Sequence, residues 1–188
     1  MPGIEPPPIL RSAARGARDR AKLALTRTPA AHRALRRPYA VGRYWLRRPH
    51  DLDYRAFRQF GPRPGIFLDV GANGGMSALS FRIYDRMRPI LSIEPNPYHE
   101  EDLRFIGRLA RPFHYLILAA GSEKGTATLH VPLLRGVPLT AEASLQSRRA
   151  ESWRRGGRLE VANVQVEVRR LDDLHLEPGI VKVDVQGH

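Results

Sequence analysis

Short apolar runs separated by amphipathic stretches set the plan of this chain. From Ile66 to Gly75 (IFLDVGANGG) an apolar run of strand length passes through Asp69 and enters a turn with three glycines in five residues. Met76 to Tyr84 then reads as a helix, and Pro89 to Glu94 (PILSIE) as a second strand. Pro97 to Arg111 reads as the next helix, with Leu103, Ile106 and Leu109 inward, and Phe113 to Ala120 (FHYLILAA) as a third strand. The last apolar run, Gly179 to Val185, reads as a fourth. Near-continuous apolar strands alternating with helices indicate a sheet covered on both faces, hence a parallel one. The expected fold is α/β, a doubly wound Rossmann-like sheet with the strands in order 3-2-1-4.

In such a sheet a ligand sits outside the carboxyl ends of the strands, where the order reverses. The turn Gly71, Ala72, Asn73, Gly74 and Gly75 occupies that place, and Glu94 ends the second strand 25 residues after Asp69. A carboxylate there can accept both hydroxyls of a ribose. Dinucleotide enzymes and S-adenosylmethionine enzymes share that device, and the turn separates them. A pyrophosphate needs a long glycine-rich loop feeding a helix N-terminus, whereas GANGG is shorter than G-x-G-x-x-G and lacks the Lys-Ser/Thr of a phosphate loop. S-adenosylmethionine needs only room for its amino acid end, with Asp69 available for the amino group. Small residues at Ala119 to Ser122, among them Ala120, would let an adenine ring lie flat at the tip of the third strand.

FLDVGANGG, then SIEPNP (Ser92 to Pro97), then the blocks RRLDDL and VKVDVQGH between Arg169 and His188 resemble, in order and spacing, the FkbM family of S-adenosylmethionine-dependent methyltransferases. The resemblance spans about Asp51 to His188 and implies a class I methyltransferase fold. It also implies methylation of a hydroxyl oxygen on a sugar, glycan or polyketide-type small molecule. Glu94, Pro95 and Asn96 fall in its second motif, and are expected with the glycine turn to hold S-adenosyl-L-methionine. Within these residues four core strands are placed after Gly65, so the class I sheet is expected to lack its C-terminal strands. In the resembling family the Val183 to His188 motif continues into a glutamate and a helix.

The fourth strand lies beside the first, so Asp184 at its tip faces the cofactor across the switch point. Methyl transfer is an in-line displacement whose main requirement is alignment. A hydroxyl acceptor must also lose a proton, and Asp184 or His188 is expected to take it, histidine being the group that titrates near neutral pH. No metal site is expected. Between the third and fourth strands the pattern changes: Thr126 to Val131 alternates, as do Val164, Val166 and Val168 with Gln165, Glu167 and Arg169, around a polar, turn-rich stretch from Arg135 to Gly157. Strict alternation indicates half-exposed strands. An antiparallel insertion partly covering the site is expected, with Ala141 to Leu145 near the acceptor.

Charge divides the 188 residues. Met1 to Pro64 holds 15 Lys and Arg against 4 Asp and Glu, while the remainder is nearly neutral at 16 against 15. A basic helical N-terminal extension over residues 1–50 and a methyltransferase domain over 51–188 are expected. In the extension Arg11, Arg15, Arg18 and Lys22 share one helical face, Ala30 to Arg37 reads as a short helix bounded by Pro29 and Pro38, and Asp51 to Phe60 reads as a helix with Leu52, Ala56, Phe57 and Phe60 inward. Tyr44 and Trp45 are expected to pack on the sheet. Arg outnumbers Lys 28 to 3 throughout, which weakens the extension as a binding signal. A solvated, partly disordered extension is the expectation, and docking to nucleic acid or weak contact with an anionic membrane surface are the functional readings it leaves open.

A nucleic-acid methyltransferase guided by that arm is the alternative. It is disfavoured because the fourth strand ends in VDVQGH and lacks the Pro-Pro-aromatic corner that holds a flipped base. A noncatalytic fragment is the other alternative, opposed by the joint presence of Asp69, GANGG, Glu94 and Asp184. The sequence contains no cysteine, so disulfides and thiolate metal sites are excluded. No run approaches the roughly 18 apolar residues of a membrane span, and a cytoplasmic location is expected.

Overall fold

The computed structural model describes residues 29–188, apart from 62, 135, 156–158 and 186–188. The expected arm helix carrying Arg11, Arg15, Arg18 and Lys22, and the expected base His188, lie outside these. The chain divides into two compact units, Met1–Arg36 and Arg37–His188. Residues 29–36 are helical and open α1 (Pro29–Trp45). The second unit thus begins ahead of the expected boundary at residue 50, because Ala40 is a core residue and Tyr44 packs against the same cluster as Phe57 and Phe81. Pro38 lies inside α1 instead of ending it. A proline removes one helical hydrogen bond, and the buried face that follows it keeps the helix going. Trp45, expected on the sheet, is solvent-exposed.

A 3₁₀ turn over Asp53–Gln59 replaces the α-helix expected there. At three residues per turn, positions three apart eclipse, so Tyr54 and Phe57 stack with centroids 5.5 Å apart. Leu52, Ala56 and Phe60 stay exposed, and of the expected stripe only Phe57 is core. Its ring stands edge-on to Phe67 and Phe81, which stack on each other at 4.1 Å.

The chain then runs β1 (Ile66–Val70), α2 (Met76–Arg82), β2 (Ile90–Ile93), α3 (Glu100–Leu109) and β3 (Phe113–Leu116). The third strand is shorter than its apolar run. After Leu116 the chain leaves the first sheet, and β4 (Ala119–Ala120) pairs in parallel with β7 (Glu160–Arg169) of a second one. That second sheet also holds β5 (Gly125–Leu134), antiparallel to β7 over nine pairs, and β6 (Val137–Pro138). Between β6 and β7 the stretch read as turns contains a helix, α4 (Ser147–Arg155). Its polar composition hid an anchor: Ala150 is fully buried where α4 packs on β5 and β7. β8 (Pro178–Val183) returns to the first sheet beside β1, giving the order β3-β2-β1-β8, all parallel. This is the expected 3-2-1-4 arrangement.

A buried arginine ties the amino-end corner of that sheet. Arg82, at the end of α2, donates to the carbonyls of Asp85, Arg88, Ala110 and Pro112, which are the turns entering β2 and β3. Burial lowers its pKa, and the carbonyl ring is what makes the buried charge tolerable. Among the described residues no helix is long and apolar enough to cross a membrane.

Candidate cofactor and acceptor cleft

The carboxyl ends of β1, β2 and β8 converge on the glycine turn. Gly71 and Ala72 both donate their N–H to the Ile93 carbonyl, at 2.9 and 3.1 Å, so the turn is clipped to the end of β2. Gly71 has φ +75°, and a Cβ there would lie 2.1 Å from the backbone oxygen of Asp184. Only glycine allows the ends of β1 and β8 to approach so closely. The Asp184 N–H bonds the Val70 carbonyl at 3.0 Å and fixes that approach.

Glu94 is the hinge of the site. Its Oε2 accepts the Asn73 N–H at 2.7 Å and its Oε1 accepts the Asn96 N–H at 2.9 Å, although the residue is only 7% exposed. Asn73 accepts the Gly74 N–H through its own Oδ1 at 2.7 Å, which shapes the turn around the carboxylate. Burial pushes the Glu94 carboxyl above the ordinary glutamate range, against the pull of the Asn96 and Asn73 N–H groups. Each carboxylate oxygen has more than one lone pair, so Glu94 keeps acceptor capacity after these two bonds. Asn96 is buried, caps the turn Pro97–His99 through Oδ1, and points its amide at the Thr140 carbonyl at 3.5 Å. That last contact joins the insertion to the cleft.

The cleft itself, open at its mouth, has Gly71, Asn73, Glu94 and Pro95 on one wall. Ala119, Ala120 and Leu129 form an apolar wall, and Thr140, Ala143 and Leu145 supply a partial cover from the insertion. Asp184 and Val185 line the cleft beside Gly71. The insertion therefore reaches the site in the segment expected. Ala72, Gly74 and Gly75 are buried behind the turn and shape it from there, the Gly75 N–H closing it on the Ala72 carbonyl at 2.9 Å.

Asp69 is placed differently from its expected role. It is 0% exposed and is absent from the cleft wall. Its Oδ2 accepts from the hydroxyls of Ser77 and Ser92, and Lys182 Nζ stands 3.1 Å from its Oδ1. Lys182 also donates to the Gly71 carbonyl at 2.8 Å and lies 3.9 Å from Asp184 Oδ2. One ammonium therefore touches the buried acid, the glycine turn and the edge of the exposed acid. Sequence reasoning passed over Lys182. The signal was a lysine inside an apolar strand (IVKVDV) flanking a strand that carries an aspartate, since a charge at a half-buried position needs a partner.

Asp184 lines the cleft and its side chain is 62% exposed. Among the described residues no group of three or more His, Cys, Asp or Glu side chains is placed to hold a metal ion. Among the described residues the charged ones lining the cleft are Glu94 and Asp184.

Neither a curated protein nor a solved structure matches the chain. Residues 69–188, more than half of the sequence and the whole of the glycine turn, Glu94 and Asp184, match the family model of the methyltransferase FkbM domain, and the chain belongs to that family of methyltransferases.

Proposed function

We propose that the protein transfers a methyl group from S-adenosyl-L-methionine to a hydroxyl oxygen of a sugar, glycan or polyketide-type small molecule. The observation that carries the cofactor reading is the charge of the cleft: two carboxylates among its described lining residues, with the nearby Lys182 ammonium held behind the turn by Asp69 and the Gly71 carbonyl. Such a site disfavours the pyrophosphate of a dinucleotide and favours a ligand bearing a sulfonium and an ammonium. The parts of the cleft fit that ligand. Glu94 would accept the ribose hydroxyls, the alanines of β4 with Leu129 would flank the adenine, and the Gly71 to Asn73 backbone would border the amino acid end. The acceptor class rests on the family resemblance.

When bound, the cofactor supplies a methyl group on an electrophilic sulfonium carbon. The chain supplies position and a base. Thr140, Ala143 and Leu145 partly cover the cleft, and Asp184 at the mouth takes the acceptor's proton, with His188 the other candidate for that step. Holding the acceptor oxygen in line with the methyl carbon accounts for most of the acceleration.

Titration calorimetry tests the cofactor. S-adenosylmethionine and its demethylated product are expected to bind and NAD is not; heat from NAD with none from S-adenosylmethionine would refute the reading. Replacing Glu94 by Ala removes charge-assisted hydrogen bonds worth roughly 1.5–3 kcal/mol each before water compensates. Cofactor affinity is expected to drop at least about tenfold.

The same carboxyl predicts a pH dependence. Its ionised form accepts the hydroxyls, and burial has raised its pKa. Affinity is therefore full above that pKa and is lost as pH falls through it, at a higher pH than an ordinary glutamate would give. Calorimetry across an acidic series checks the sign, and affinity that strengthens on acidification contradicts it.

A further inference from the structure

A basic face lies at the amino edge of the parallel sheet, the end opposite the cleft. Arg86 and Met87 occupy the turn before β2, Arg111 precedes β3, and Arg108 stands beside them on α3, all around one hollow. A second hollow shares Arg86 and Arg111 and adds Trp45 and Arg47 from the end of α1. The shared residues make the two hollows one continuous surface.

Nearby carboxylates are already engaged. Glu100 pairs with Arg104, Glu101 and Asp102 with Arg37, and Asp85 with Arg88. Among the described residues none of them reaches Arg86, Arg108 or Arg111, so three guanidiniums face solvent without a counter-charge. Between them stand large apolar side chains in water: Trp45 is 73% exposed and Met87 is 79% exposed. One exposed hydrophobe needs no explanation. An indole and a thioether set among unneutralised arginines have the composition of a surface that enters a lipid headgroup layer.

We propose that this face docks the protein on an anionic lipid surface. Headgroup phosphates pair with Arg86, Arg108 and Arg111 while Trp45 and Met87 enter the boundary between headgroups and acyl chains. A nucleic acid would use the guanidiniums equally well, but it would leave Met87 in water, since a thioether offers no ring for a base to stack on. The cleft lies at the far edge of the sheet and so points away from the bilayer. Docking concentrates the enzyme at a surface and does not deliver the acceptor through the lipid. The inference stands independently of the cofactor reading.

The sequence has two tryptophans, so Trp153→Phe in the full chain leaves Trp45 as the sole indole, excited selectively at the red edge where tyrosine does not absorb. Its emission is expected to shift to the blue with vesicles of phosphatidylcholine and phosphatidylglycerol, to stay unchanged with phosphatidylcholine alone, and to return when salt screens the charges. Arg86→Glu together with Arg111→Glu, with residues 1–36 intact, should lower partitioning at least about tenfold. Sedimentation with anionic vesicles while Trp45 emission stays fixed would place binding on another surface and overturn the proposal. Preferential binding of a single-stranded oligonucleotide over vesicles would overturn it in favour of a nucleic acid.

Discussion

Replacing Lys182 by Met is expected to destabilise the domain by about 3–5 kcal/mol, the cost of leaving one member of a buried ion pair without its partner. Methionine nearly matches the volume of the lysine stem, so packing changes little and the loss is electrostatic. Asp69 stays fully buried, its Oδ2 held by Ser77 and Ser92, while Oδ1 faces a position that no longer carries charge. The carbonyl of Gly71 loses its donor at the same time. For a domain of this size the drop corresponds to roughly 10 °C in Tm. Asp69→Asn in the same chain removes the orphaned charge, so the double variant should recover part of the stability, and the cycle measures the pair itself. Urea unfolding of the four proteins checks it. A Lys182→Met variant within about 1 kcal/mol of the parent would show that Asp69 does not depend on the ammonium.

That pair also marks where sequence reasoning ends. Strand order was legible because β1, β2, β3 and β8 each announce themselves as apolar runs, and because a glycine turn followed by a helix fixes which strand is first. Glu94 was legible because it ends a strand at a fixed distance from that turn. Lys182 was not, because its meaning lies in register. It sits opposite Asp69 in the parallel β1–β8 ladder, across most of the domain's sequence, and no local periodicity reports such a pairing. The same limit explains the third strand. FHYLILAA is one apolar run, but β3 ends at Leu116 and the two alanines pair with β7 in another sheet, a choice made by a strand some forty residues later. At Pro38 and over Asp53–Gln59 the failure was of the opposite kind. Local propensity was read correctly and tertiary packing of Ala40, Tyr54 and Phe57 overrode it.

Asp184→Ala is expected to lower kcat by about 10²- to 10⁴-fold, the usual contribution of a positioned general base, with cofactor affinity within a few-fold of the parent. The division follows from where the side chain sits. Its carboxylate is largely exposed at the cleft mouth, while the contacts that shape the cofactor wall run through its backbone: the N–H to Val70 and the carbonyl packed against Gly71. Alanine preserves both, so turn and strand end are expected to hold. Asp184→Asn keeps the shape and hydrogen-bonding reach but cannot take a proton. If the carboxylate acts as base, the amide variant falls as far as the alanine variant. If it only orients the acceptor, the amide retains most of the rate. A kcat for Asp184→Ala within about threefold of the parent would remove Asp184 from the chemistry and leave His188 as the base to test.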